Sequence, residues 1–383
     1  MKIRIIGAGP AGLYFASLMK RKNPDHDIVV YERGYRDATW GFGVVFSDRA
    51  LDFLKADDEE MFELLRPEME AWKDLTIAVN DQKFPISGNG FTSCGRLEML
   101  TVLYDHVEKL GVEIKFETEI TSLDQVGEAD LIVAANGAFS WVRDENQDKF
   151  KTSINWRPNR FIWYGTSKAF DTLTLTFRET DKGVFCAHHY RYTPNMSTFL
   201  VEVEEDTWNR AGFEDMSPED TIRYCEEVFA NDLDGHPILS NNSYWRQFPE
   251  IWNDQWHFDN VVLIGDALRT AHFSIGSGTR LGMEDAIALA RGLSEKNNDV
   301  QAGLQRFREL REPPMRKIFD AANVSLRWYE EMDDLMKKME PIEFCYSYMT
   351  RTGRVDHAEV RRRDPKLAEA YEKLHPEVLA SSE

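Results

Sequence analysis

The sequence predicts an α/β protein: a parallel sheet wound with helices, an antiparallel β-sheet inserted into it, and helices at the C-terminal end. Three observations predict it. A strand at residues 2–6 runs into a glycine turn, a helical pattern and a second strand ending at Glu32, a βαβ unit of the usual ~30 residues. From about 155 to 205 the chain breaks into β-rich runs separated by turn residues ("RFIWYGTS", "TLTLTFRET", "VFCAHHYRY", "STFLVEVEE"), which suits an antiparallel sheet. The strand "NVVLIGD" then returns to the style of the first part, and from about 299 onward the pattern is helical.

Element by element, Lys2 to Ile6 form the first strand and Gly12 to Lys22 carry apolar residues at helical spacing. Ile28 to Tyr31 form the second strand, residues 97–110 read as a helix, and residues 112–117 and 130–135 as strands. The C-terminal helical stretch is expected to break at Pro313-Pro314, because proline removes a helix donor, and then to thin into a charged tail. These shifts divide the chain into a discontinuous nucleotide-binding domain (1–75, 95–155 and 245–300), a β-sheet substrate domain (76–94 and 156–244) and a C-terminal helical segment (301–383).

Of the 383 residues, 42% are hydrophobic and 29% charged, which suits a soluble globular protein. Apolar runs such as Leu131 to Ala135 are strand-length, so no membrane association is expected. "MKIRIIGAGPAG" goes straight into strand and turn, so no secretory leader is expected and the location is read as cytoplasmic. Cys94, Cys186, Cys225 and Cys345 lie far apart with no CxxC and no metal-ligand spacing; they are read as reduced thiols, with no metal. A formal net charge of −20 repels phosphate backbones and argues against nucleic acid. It leaves room for an anionic small molecule in a local basic pocket. Arg361-Arg362-Arg363, the densest basic run, reads as an exposed segment beside acidic neighbours. A monomer or homodimer is expected.

"GAGPAG" (residues 7–12) places Gly7, Gly9 and Gly12 directly after a strand and before a helix, with Pro10 and Ala11 opening that helix. Gly7 permits the tight turn, Gly9 lets a pyrophosphate approach the backbone, and Gly12 permits close helix–strand packing. The helix N-terminus offers free N–H groups to phosphates. Glu32, twenty residues after Gly12 and followed by Arg33, ends the second strand where a carboxylate accepts from ribose hydroxyls. This Rossmann-like fingerprint alone fits NAD or FAD. "VVLIGDALRTAHFSIGSGTRLGMEDA" decides for FAD. Asp266, after Gly265 at a strand end, accepts from ribityl hydroxyls; Gly276 and Gly278 let backbone approach a flat ring; and the helix starting near Thr279 points its positive end at the ring's N1–C2=O edge.

Together, "GAGPAG…YER", "GRLEML", "DLIVAANGAFSWVR" and "GDALRTAHFSIGSGTRLGMEDA" resemble the single-component FAD-dependent aromatic monooxygenases. "WGFGVVFSD" (40–48) with "HFSIGSGT" is similar to the branch containing salicyloyl-CoA 5-hydroxylase and anthraniloyl-CoA monooxygenase. "NRFIWYGTSKAFD" and "RWYEEM" are also similar to the tryptophan hydroxylase of violacein synthesis. The chain departs from the wider family at Asn136-Gly137 (commonly Asp-Gly), at Phe273 (commonly Pro) and at Arg269 (often His); Arg269 is given no role.

The resemblance implies hydroxylation of an electron-rich aromatic substrate, an aryl-CoA thioester such as salicyloyl-CoA, by NAD(P)H and O2 through a flavin C4a-hydroperoxide. A free aromatic acid or a tryptophan-like amine is the alternative substrate, and a non-catalytic flavin-binding protein the alternative class. No second βαβ fingerprint is visible, so NAD(P)H is expected as a transient co-substrate. By the same resemblance Arg96 contacts FAD, and the inserted sheet roofs the flavin with His272, Phe273 and His188 as catalytic candidates. Trp163, Tyr164, His189 and Tyr190 are the substrate candidates. Alternation along the strand puts His188 and Tyr190 on one face and His189 on the other. Arg157, Arg160 or Arg191 are expected to meet the CoA phosphates.

Overall fold

The computed structural model describes residues 1–39, 41–47 and 54–380; Trp40 and Asp48, the ends of "WGFGVVFSD", lie outside the described residues. At its centre is a six-stranded sheet in the order His257–Phe258, Val261–Leu263, Leu131–Ala134, Lys2–Ile6, Asp27–Tyr31, Glu113–Lys115. All neighbours are parallel except the edge pair of His257–Phe258 with Val261–Leu263. All four residues of Leu131–Ala134 are buried, so both faces of the sheet are covered. The helix Pro10–Lys22 starts with proline in its first turn, where no donor is lost, and packs on the helix Gly278–Glu295.

The second sheet has eight strands. Seven follow the order Ile238–Ser240, Thr152–Thr166, Met196–Val203, Gly183–Thr193, Leu173–Thr180, Leu75–Val79, Gln82–Ile86, while Arg246–Asn253 pairs with Thr152–Thr166. One pair departs from the antiparallel pattern: Leu75–Val79 runs parallel to Leu173–Thr180, with Leu75 opposite Leu173. The long intervening stretch supplies the crossover that a parallel pair needs. A small third sheet joins Gly43–Ser47, Phe91–Gly95 and Met69–Trp72. The eight-stranded sheet is buried on both faces. Ile77, Phe177 and Cys186 pack against Tyr329 and Phe344 from the C-terminal segment. Tyr164, Phe199 and Val201 pack on the other side with Cys225 and Phe229.

The C-terminal segment differs from its sequence reading in two ways. The helix Val300–Tyr329 runs through Pro313 and Pro314 without a break. Both prolines are exposed, so the carbonyls they leave unpaired reach water, while Phe307, Arg311, Met315 and Phe319 anchor the buried face. The expected charged tail is instead a set of short helices, including Pro341–Thr350, His357–Arg363 and Pro365–Leu374, with Phe344 and Cys345 fully buried. Apolar residues spaced among the charges carry that packing.

Helices Gly278–Glu295 and Val300–Tyr329 approach very closely: a Cβ on Gly292 would lie 2.7 Å from the Gly303 carbonyl oxygen and 2.8 Å from the Phe307 nitrogen. All four cysteines are buried and unpaired. Among the described residues no helix is long and apolar enough to cross a membrane, and no group of three or more His, Cys, Asp or Glu is placed to hold a metal ion.

Candidate active site

A cavity of about 1010 Å³ is walled by both glycine turns, the eight-stranded sheet and the C-terminal helices. Gly9, Pro10 and Ala11 line it from the first turn, and Gly265, Asp266, Gly276, Gly278 and Thr279 from the second. Gly7 and Gly12 sit behind the first turn. Gly7 has φ +104° and a Cβ there would meet the Ala135 carbonyl oxygen at 2.5 Å; one on Gly12 would lie 2.4 Å from the Gly7 oxygen. At Gly9 a Cβ would meet nothing within 4 Å, so this turn leaves open space at a helix N-terminus. Glu32 lies outside the cavity wall, and its carboxylate accepts from the Ala8 and Gly34 N–H groups, each at 2.9 Å. Arg33 beside it is exposed and lies off the cavity.

The second turn is held from beneath. Asp285, fully buried, accepts from the Gly265 N–H at 2.9 Å and from Arg269 at 2.6 Å, and Arg311 Nε donates to its other oxygen at 2.8 Å. Arg269 also donates to the Gly265 carbonyl at 2.9 Å. Asp266, by contrast, opens into the cavity and is held by no hydrogen bond among the described residues. Its depth in the molecule pushes its pKa up, with Arg269 and Arg96 pulling it down. Arg96, at the start of its helix, also lines the cavity with its guanidinium free of side-chain partners among the described residues. Burial pulls its pKa down against the field of Asp266. Ser277, the N-cap of Gly278–Glu295, makes no side-chain cap, which leaves that helix's first N–H groups to the cavity side.

On the roof, alternation decides which aromatic side chains face inward. Trp163, His188 and Tyr190 line the cavity. Tyr164 and His189 do not, and this corrects their assignment to the substrate: each follows or precedes an inward residue on its strand and so points to the opposite face. Tyr164 is 1% exposed in the core beyond the sheet, and the His189 ring packs 3.9 Å from Phe170 with Nε2 3.0 Å from Thr176 Oγ1. His272 is corrected as well. It is 2% exposed and lies off the cavity wall, with Nδ1 2.9 Å from Ser274 Oγ and Nε2 3.8 Å from Glu202 Oε1. The tight turn Phe273–Ile275 that it caps projects Phe273 into the cavity and turns His272 inward. Burial pulls the His272 pKa down to about 4, so the ring is neutral. Phe273 packs 4.9 Å from Phe161 and 5.4 Å from His188.

His188 has a partner that the sequence reading missed. Its Nε2 lies 3.2 Å from Glu202 Oε2, and the other carboxylate oxygen accepts from Asn159 Nδ2 at 3.0 Å. Burial pushes the Glu202 pKa up, but the hydrogen bonds with His188 and Asn159, joined by His272 wherever that ring is protonated, more than offset this and hold it below the usual carboxylate range. A charged acid 1% exposed, fixing one nitrogen of a cavity-lining histidine, leaves Nδ1 of that ring for a ligand.

The profile of the FAD binding domain family matches residues 1–322. The chain belongs to that family. Its relatives are named as hydroxylases and monooxygenases. Salicyloyl-CoA 5-hydroxylase of a Streptomyces species is 38% identical over 92% of this chain and 70% of its own length. Protodeoxyviolaceinate monooxygenase of Chromobacterium violaceum is 34% identical over 92% and 94%. 3-hydroxy-4-methyl-anthranilyl-[aryl-carrier protein] 5-monooxygenase of Streptosporangium sibiricum is 32% identical over 88% and 91%. Among solved structures, PqsL of Pseudomonas aeruginosa in complex with 2-aminobenzoylacetate aligns with TM-score 0.67 at 18% identity, covering 88% of this chain and 98% of that one. 2-methyl-3-hydroxypyridine-5-carboxylic acid oxygenase aligns with TM-score 0.69 at 17% identity, covering 94% and 98%. These likenesses establish the fold.

As a member of this family the protein is an FAD-dependent monooxygenase that uses NAD(P)H, and its free groups fit FAD. An open helix N-terminus suits a pyrophosphate, and an unpartnered carboxylate in a deep wall suits sugar-alcohol hydroxyls. The arginines expected at CoA phosphates are otherwise engaged. Arg157 pairs with Glu330 and Glu250, Arg160 with Glu205, and Arg191 with Glu70, and none lines the cavity. The acids that hold them come from other elements, Glu250 from a neighbouring strand, Glu330 from the end of the long helix, Glu205 from a helix start and Glu70 from the third sheet, which isolated arginines in a sequence do not reveal. The residues missed had signals of their own: Glu202 is an acid inside the apolar run "FLVEV", and Asp285 an acid on the apolar face of "GMEDAIALA". A carboxylate in such a place needs a buried partner.

Proposed function

We propose that this monooxygenase hydroxylates an aromatic ring that bears a hydroxyl or amino group and is carried as a CoA thioester, salicyloyl-CoA (5-hydroxylation) being the leading case. The observation that carries the aromatic, ionisable half is His188, backed by buried Glu202, lining the cavity among the aromatic and apolar side chains of Phe161, Trp163, Tyr190, Leu200 and Phe273. The thioester half is supported by the 38% likeness to a salicyloyl-CoA hydroxylase. In this reading Gly9, Pro10 and Ala11 take the FAD pyrophosphate at the helix N-terminus, with Glu32, Arg33 and Arg96 about its nucleotide and Asp266 on the ribityl hydroxyls. Gly276, Gly278 and Thr279 lie against the ring. The FAD-binding domain is proposed as residues 1–75, 95–155 and 245–300, of which 152–155 and Arg246–Asn253 pair into the eight-stranded sheet.

FAD, when bound, would supply the redox chemistry, with NAD(P)H as the hydride source and O2 as the source of the electrophilic oxygen atom. The chain's own residues do the rest. Phe273, Trp163 and Tyr190 exclude water from the ring and hold it flat. His188 Nε2–H donates to Glu202, so Nδ1 accepts the proton of the substrate hydroxyl; the ring becomes more electron-rich and the imidazolium is stabilised by Glu202. Arg269, Asp285 and Arg311 hold the second turn in place.

The test compares salicyloyl-CoA, 2-aminobenzoyl-CoA, their free acids and benzoyl-CoA for stimulated NAD(P)H consumption with gain of one oxygen. The substituted thioesters are expected to lead, and His188→Gln to slow salicyloyl-CoA turnover by about 10²-fold or more. Equal turnover of benzoyl-CoA defeats the electron-rich requirement. The likeness to protodeoxyviolaceinate monooxygenase, whose name carries no thioester, supports a second reading, a free aromatic acid or amine, and faster turnover of the free acids selects it.

A further inference from the structure

The cavity wall inverts the charge of the molecule. The whole chain holds 66 acidic against 46 basic residues. Among the described residues lining the cavity stand seven arginines (96, 246, 280, 351, 354, 362, 363) and a single carboxylate, Asp266. Arg96 and Asp266 belong with the glycine turns. Four of the remaining arginines come from one place, residues 351–363 of the C-terminal segment, facing the loop Gly88–Asn89–Gly90. That loop is tied down: the Ser87 N–H donates to Asp364 at 2.8 Å, Arg363 Nη1 lies 3.4 Å from Asn89 Oδ1, and Gly88 takes φ +70° against the Arg363 backbone.

The charges at this end are only partly neutralised internally, by Glu359 on Arg362 and Arg363. Arg351 donates only to neutral oxygens, Ser325 Oγ at 2.8 Å, the Tyr348 carbonyl at 2.7 Å and the Ser274 carbonyl at 3.0 Å. The exposed Arg354 side chain has no partner among the described residues. Arg362 and Arg363 share one carboxylate, Glu359, at 2.7 and 2.6 Å. Leu173, Leu175, Met349 and Val355 add apolar surface to the same cavity. Several cations, one shared acid and an adjoining apolar wall match a ligand with a flexible neutral arm ending in phosphates.

We propose that this end of the cavity, between the 88–90 loop and residues 351–363, binds the nucleotide phosphates of an acyl-CoA thioester, with Arg354 and Arg363 as direct contacts and Arg351 and Arg362 supporting them. This rests on the thioester reading above. It moves the phosphate site from the arginines of the sheet to the C-terminal helices.

The FAD-loaded protein is titrated calorimetrically with coenzyme A, as wild type and as Arg354→Ala/Arg363→Ala. The double variant is expected to bind about tenfold more weakly or worse. KM for salicyloyl-CoA should rise in step, several times more than KM for salicyloyl-pantetheine, which lacks the nucleotide. Because Arg363 also touches Asn89, Arg354→Gln at its exposed site gives a second measurement that leaves the packing alone, expected in the same direction. An equal rise for both thioesters, or none for either, overturns the site while the thioester reading stands. A rise in KM for NADPH alone assigns the arginines to the nicotinamide cofactor and overturns it too. Inorganic phosphate competing as strongly as coenzyme A overturns the nucleotide specificity. Wild-type turnover of free salicylate and of neither thioester removes the thioester reading, and this inference with it.

Discussion

At Gly9 the backbone leaves a space that a side chain would fill, and at Asp266 a carboxylate lines the cavity without a hydrogen-bond partner among the described residues. Gly9→Glu puts bulk and negative charge where a pyrophosphate has to sit, and Asp266→Ala strands ligand hydroxyls in a dry site, a loss of about 1–3 kcal/mol. Both variants should bind FAD more weakly when apoprotein is titrated by flavin fluorescence; unchanged dissociation constants in both refute the placement. His272 makes a different prediction. Its folded pKa of about 4 lies below the ordinary 6.5, so between those values the unfolded chain takes up a proton that the folded protein refuses. Stability is lost as the pH falls through that window, on the order of 3 kcal/mol at its lower end. Relative to His272→Asn, wild-type unfolding free energy should fall by that order between about pH 7 and 4, and a constant difference in urea titrations at both pH values counts against a buried neutral ring. The same residue marks a limit of sequence reading. "AHFSIGSG" places His272 beside the flavin turn, but which way one side chain leaves a tight turn depends on a contact with Ser274 and on Glu202, seventy residues earlier.

Two helices carry the second turn and the C-terminal segment, and they touch through glycine. With backbone atoms 2.7 and 2.8 Å from the position of a Gly292 Cβ, even one methyl group forces them apart. Gly292→Ala should cost about 1–3 kcal/mol despite alanine's better helix propensity, visible as a lowered midpoint in thermal unfolding. A raised midpoint would mean that the helices slide without loss. Elements with strong periodicity were legible: the βαβ unit, the helix predicted near Thr279 and observed from Gly278, and the β-rich runs. The long helix through Pro313-Pro314 was not, because local propensity argues against it and only packing of Phe307, Met315 and Phe319 overrides that argument. Alternation predicted that His188 and His189 separate; the same rule applied to Trp163 and Tyr164 would have removed Tyr164.

For the molecule as a whole, fold and cofactor were legible because they rest on turn chemistry that a few adjacent residues specify. The distribution of charge was not: composition gives a sum of −20 and says nothing of where the arginines gather. A triplet near the end of the chain reads as exposed beside acidic neighbours, and Arg361 and Arg362 are exposed and paired with Glu372 and Glu359. What the sequence does not show is that Arg362 and Arg363 also border the cavity. That inversion has a kinetic consequence. On the thioester reading proposed above, an anionic substrate approaches through a repulsive field before it meets the attractive one, and the two have different ranges. Far contributions fade beyond roughly 10 Å at 0.1 M salt, whereas paired charges in a cavity are screened much less. Added salt should therefore speed the encounter of a CoA thioester with the enzyme, reversing the usual slowing seen when opposite charges steer a complex together. Stopped-flow association rates taken from low salt to about 0.1 M are expected to climb, with dissociation accelerating only at higher salt; a rate that falls from the first addition would show the arginine field reaching past the acidic shell.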